Sequence, residues 1–218
     1  MTGRLAASWV VALAVGTIGA CDRGGAARSD GLDAGAVGSP SQAILRAREL
    51  RRRNAYGELG RYLIPEQRSA VVRHLQAVDR LVVAHESLNQ LIAERIGIGS
   101  ATLIDPTALG NIAGVFSADV EIVDENVQGD RAVVTISVAG RLPLENVSLT
   151  RVNGQWLLGT DPPVPDLSAQ IHKLADAADR VAQVLRSRPM TSQEVRHELE
   201  LRQTPILKRI QELETVGR

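Results

Sequence analysis

The chain has 218 residues, with 25 basic and 25 acidic side chains that balance to a formal charge of zero. Neutrality excludes the broad electrostatic pull that draws a protein to nucleic acid. Aromatic residues make up only 2 %, so a core must be aliphatic, and the single cysteine excludes an internal disulfide.

Residues 1–20 read as an export signal. Arg4 is their only charged residue, and the apolar run LAASWVVALAVGTIGA closes on the small residues Gly19 and Ala20. The run falls short of the ~20 apolar residues of a membrane span. Its last residues with the next one, IGAC, resemble the lipobox of bacterial lipoproteins: an aliphatic residue, two small residues, then cysteine. The resemblance implies that the Cys21 thiol takes a diacylglycerol, that the leader is cut before it, and that the new amino end is acylated, commonly with palmitate. A thiol suits this step, because a thiolate is a far better nucleophile than a hydroxyl at neutral pH. Two or three acyl chains are what firm anchoring requires. The resemblance also implies a cell-envelope location. Asp22 follows the pattern for the periplasmic face of the inner membrane in hosts with two membranes.

Residues 21–40 are mostly Gly, Ala, Ser and Asp, with almost no large side chain to bury. They are expected to form a flexible tether. A helix is expected from Ser41, with a stripe of Ile44, Leu45, Ala47 and Leu50, weakened at its end by Gly57 and Gly60. Its arginines, 46, 48, 51, 52 and 53, are expected on a solvated face near the membrane rather than in a phosphate site. Pro65 suits the first turn of a second, long helix. Apolar residues at 71, 75, 78, 82, 88, 92 and 96 mark one buried face, and Gly97 and Gly99 end it. DPTALGNIAG then reads as a short helical turn or loop.

At Phe116 the apolar period changes to two. ADVEIVDENV and RAVVTISVAG flank QGD, a hairpin loop. Val134, Ile136 and Val138 share one face of the second strand, and Val133, Thr135 and Ser137 the other. LENVSLTRV and QWLLGTD flank Asn153-Gly154, the strongest short hairpin signal. Four strands in a row predict an antiparallel meander, stopped by DPPVP. Residues 166–218 are helical again, with a seam of Ile171, Leu174, Ala178, Val181 and Leu185 suited to a partner helix. Pro189 breaks that helix, Thr191 and Glu194 form a capping box, and Thr204-Pro205 predicts a further helix start.

The fold class is therefore α+β: N-terminal helices packed on a curved four-stranded antiparallel meander, followed by a helical C-terminal extension. The order of elements, with NAYGELGRYLIPEQRSAV between the helices and LTRVNGQWLL at the closing hairpin, resembles the nuclear-transport-factor-2-like superfamily over residues 41–161. That resemblance implies a cone-like domain over residues 41–165, with a sheet wrapping a long helix and a pocket at the wide end. Some members are isomerases or hydrolases using Asp or His there, and others only bind ligands or partners. Fold does not choose between these.

Three polar residues of the long helix, His74, His85 and Asn89, fall on its apolar face. A buried polar group needs a partner or costs ~1–3 kcal/mol. The enzymatic alternative makes His85 a general base, oriented by Asn89 one turn on. The plainer alternative makes the histidines satisfied core groups. His74 and His85 stand three turns apart, ~16 Å, too far to share a metal ion. Asp79 and Glu86 are expected in solvent. Asp119, Glu121, Asp124 and Glu125 lack metal-ligand spacing, Trp156 is expected in packing, and no cofactor motif is present.

Residues 189–218 also resemble the helix-turn-helix of winged-helix DNA readers, which would place Arg202, Gln203 and Lys208 near a recognition helix. Glu200 stands where glycine is usual at the turn, and an exported segment never meets DNA. The expectation is a lipid-anchored envelope protein that binds a partner protein or small ligand without catalysis. The membrane is reached through acylated Cys21, and the helical extension is a candidate partner surface. No metal or nucleic acid is expected.

Overall fold

The computed structural model describes residues 38–97, 111–160 and 166–216. The export leader, Cys21, nearly all of the tether, DPTALG of the loop and the DPPVP stop lie outside the described residues.

Helix α1 spans Pro40–Arg52. Ser39 caps it with a complete capping box: its hydroxyl accepts from the Gln42 backbone N–H and the Gln42 side chain accepts from the Ser39 N–H. Ile44, Ala47 and Leu50 are buried as expected, but Leu45 faces solvent. A short helix α2, Tyr56–Leu59, and a 3-10 turn, Gly60–Tyr62, lead into α3, Pro65–Arg95, with Pro65 in the first turn. At 31 residues α3 is ~46 Å long. It buries Val71, Leu75, Val78, Leu81, Leu88 and Ile92, while Val82 and Ile96 are half-buried. Gly97, at φ 132°, follows its end. A 3-10 segment, Asn111–Phe116, kinked at Gly114, feeds the sheet.

The sheet has the expected order β1 (Val120–Gln128), β2 (Arg131–Val138), β3 (Glu145–Val152), β4 (Gln155–Gly159), all antiparallel and open. Gln128 pairs with Arg131, so Gly129-Asp130 is a two-residue turn. Asn153 and Gly154 both have positive φ, as the primed hairpin turns require. Val134, Ile136 and Val138 point inward with Val147, Leu149, Trp156 and Leu158, and α1 lies against this side of the sheet. The β4 edge is covered: Leu63 bridges Leu158, and the Ile64 N–H donates to the Leu158 carbonyl.

Helix α4, Leu167–Ser187, packs along α3 in the same direction. Arg80 meets Asp176 midway along both helices, and Arg186 shares a groove with Gln90 and Glu94 toward their C-terminal ends. All five seam residues of α4 are buried. Helix α5, Ser192–Val216, turns back along this pair. The Thr191–Glu194 capping box starts it as expected.

One expectation is overturned here. No new helix starts at Thr204-Pro205, because α5 continues through Pro205 as a single helix. Pro205 lacks the N–H that would bond four residues back. It lies on the exposed side with Leu201 and Thr204, where water can serve the freed carbonyl. The two helices and intervening turn of a DNA-reading motif are therefore not formed.

Candidate functional site

Two polar centres lie along α3. The first joins α1 to α3. Arg51 is buried, its Nη1 donates to the Phe116 carbonyl at 2.7 Å, and its Nε donates to Asp79 at 3.1 Å. The Tyr56 hydroxyl donates to the second Asp79 oxygen. Burial, reinforced by the hydrogen bond to Asp79, raises the Tyr56 phenol far above its ordinary range. One turn back on α1, Arg48 donates to the backbone carbonyls of Ser117, Ala118 and Val120. Two arginines thus staple α1 to the chain entering β1.

This corrects two readings. Arg48 and Arg51 are not part of a solvated face. Their forks donate to backbone carbonyls of the segment entering β1. Asp79 is not simply in solvent but is the counter-ion of a buried guanidinium. Arg52 and Arg53 do remain exposed, beside Glu49.

The second centre is His85. It is 2 % exposed. Its Nδ1 lies 3.0 Å from the Leu81 carbonyl of its own helix, and its Nε2 lies 3.1 Å from the Gln203 side-chain nitrogen on α5. One neutral tautomer serves both bonds: Nδ1–H donates to the carbonyl, and Nε2 accepts from the amide. Burial pushes the imidazole below its ordinary pKa, partly offset by the Leu81 bond and the Asp179 charge. Asn89 is half-buried one turn further along α3.

His74 belongs to neither centre by hydrogen bonding. It is half-buried, and its Nδ1 is buried with no hydrogen-bond partner among the described residues. Burial lowers its pKa first, and the Arg51 charge lowers it further. His74 therefore does not join His85 in one constellation.

The acidic residues of β1 do not converge either. A bulge between Ile122 and Asp124 shifts the register, so Glu125 shares the inward side with Val134. It there accepts from the Ser41 backbone N–H at 2.9 Å and from the Ser41 hydroxyl. A carboxylate at the first turn of α1 also complements the helix dipole. Among the described residues no group of His, Cys, Asp or Glu is placed to hold a metal ion, and no helix is long and apolar enough to cross a membrane.

Sequence reasoning missed Gln203 as the partner of His85, and Arg51, Tyr56 and Asp79 as a unit. The one available signal was the placement of His85 on an apolar face, which demanded some partner without naming it. Surface grooves lie elsewhere. One of about 340 Å³ is lined by Arg95, Arg186 and Arg188 around the α4–α5 elbow, and another of about 250 Å³ by Ser87, Gln90 and Glu94. Comparison with protein-family models, with curated proteins and with solved structures finds no match to this chain.

Proposed function

We propose that this is a lipid-anchored protein of the cell envelope whose folded part binds a partner protein or small ligand and performs no chemistry of its own. The observation that carries the non-catalytic half is the closure of His85. A general base needs a free lone pair within reach of a substrate proton. The Nε2 lone pair of His85 is engaged by Gln203, and Nδ1 is spent on the helix backbone. Leu81, Leu88, Ile92 and Leu185 are packed into the same core as the helices around it.

The envelope half rests on the IGAC sequence and on the leader before it. Asp22 favours the periplasmic face of the inner membrane. The order of helices, then meander, supports kinship with the nuclear-transport-factor-2-like superfamily, whose binding members need no catalytic residue. Helices α4 and α5 supply the candidate partner surface.

Cell fractionation of the Cys21→Ser variant tests the anchor. The variant is expected in the soluble fraction while the parent chain stays with membranes. Firm membrane attachment of the variant would refute the anchor.

A further inference from the structure

The loop joining β2 to β3 ends in an apolar tip. Leu142 is 84 % exposed, Leu144 is 40 % exposed, and Arg141 and Pro143 between and beside them also face solvent. Leu142 is the most exposed large hydrophobic residue described. The base of the loop is pinned. Ala139 and Gly140 both have positive φ, at 52° and 66°. Alanine there is strained, since a Cβ in the left-handed region crowds the following carbonyl. Backbone bonds hold the turn nevertheless: the Ala139 N–H donates to the Asp119 carbonyl at 2.6 Å, and the Arg141 N–H to the Val138 carbonyl at 3.1 Å. A strained, pinned base thus presents Leu142 to water, and neither leucine belongs to the apolar core.

We propose that this tip, Arg141 to Leu144, is a second contact with the bilayer that carries the anchor: a shallow wedge that sets how the folded part lies on the membrane. The proposal rests on the lipid-anchored reading. About 18 residues separate Cys21 from α1, and they span at most ~60 Å. The tether enters at α1, where Ser41 meets Glu125 in the middle of β1. The loop leaves β2 at Val138, opposite Val120 at the start of β1. That separation is about 17 Å along the strand, well inside the tether's reach. The bilayer is thus at high effective concentration to the tip.

The chemistry of the tip fits lipid. Two leucines and a proline suit the acyl boundary, and Arg141 is the cation expected beside anionic headgroups. Arg141 forms no ion pair within 4 Å among the described residues; burial raises the Glu145 carboxyl behind it above its ordinary range, and the Arg141 charge offsets this in part.

The test uses the acylated protein in vesicles of phosphatidylethanolamine and phosphatidylglycerol. Acylation blocks Cys21, so Leu142→Cys supplies the single labelling site for an environment-sensitive dye. Leu201→Cys on α5, at a residue 59 % exposed, is the control. The dye at 142 is expected to shift to the blue and to be quenched by lipids spin-labelled near the headgroup, while the dye at 201 is not. Flotation with the vesicles reports the anchor separately. Protein that floats with a dye at 142 behaving like the dye at 201 overturns the wedge alone. Protein that fails to float overturns the anchor and the wedge with it.

Discussion

Gln203 of α5 stands 3.1 Å from the Nε2 of His85 on α3, across 118 positions of sequence. This contact fixes the tautomer of a buried imidazole and ties α5 to the long helix. Replacing Gln203 by Leu leaves the Nε2 lone pair buried and unpaired, which costs ~1–3 kcal/mol. Urea unfolding should show the loss as a lower midpoint. Adding His85→Leu should recover part of it, because removing both partners costs less than orphaning one. A recovery of zero would mean the pair is not coupled.

Acid should destabilise the fold in a defined window. Burial lowers the pKa of both His74 and His85 from the ordinary 6.5. The unfolded chain therefore takes up protons on these rings before the folded chain does. Stability is complete above the unfolded value and is lost as pH falls through it toward the folded values. Unfolding midpoints measured at about pH 7.5 and about pH 5.5 lie on either side of the unfolded value. His85→Asn should reduce the drop between them; an unchanged drop would assign it to other groups.

Asp79 neutralises the buried Arg51. Asp79→Ala strands that guanidinium, a change that costs ~3–5 kcal/mol where both charges are fully buried. The Asp79 side chain keeps 26 % exposure, so about 2–3 kcal/mol is expected after solvent screening. Tyr56→Phe loses one hydrogen bond to the same carboxylate, worth about 1 kcal/mol. Denaturant titration of both variants checks the ranking. Equal losses would show that Arg51 finds water or another partner.

Two leucines read as helix-stripe residues should behave differently. Leu185 is 1 % exposed and Leu45 is 47 % exposed. Leu185→Ala should cost ~2–5 kcal/mol by cavity formation, and Leu45→Ala no more than ~0.5 kcal/mol. Thermal unfolding distinguishes them directly.

Much of the fold was legible because it follows apolar spacing. The three-and-four spacing along α3, the α4 seam and the alternation in β2 each report one buried face; the α4 seam and the Val134, Ile136, Val138 face are buried throughout, and the α3 face except at the half-buried Val82 and Ile96. The caps at Thr191 and the Asn153-Gly154 turn were legible because their chemistry is local. What spacing does not encode is the partner of a polar group. Arg48 and Arg51 look like any surface arginines on a helix. Their long stems let the forks reach carbonyls 65 to 72 positions away. The β1 bulge was hidden for a related reason. A strict period of two points Asp124 inward, and one extra residue turns Glu125 inward instead. Pro205 misled because its missing N–H falls on the exposed side of α5, where water can serve the freed carbonyl.

The central claim is an acylated protein that holds a partner or ligand without acting on it. A native mass spectrum of the protein, extracted gently from membranes, tests both parts at once. The account predicts a chain beginning at Cys21, carrying acyl mass, with a further bound species that leaves unaltered on activation. An unacylated chain with nothing attached would contradict it.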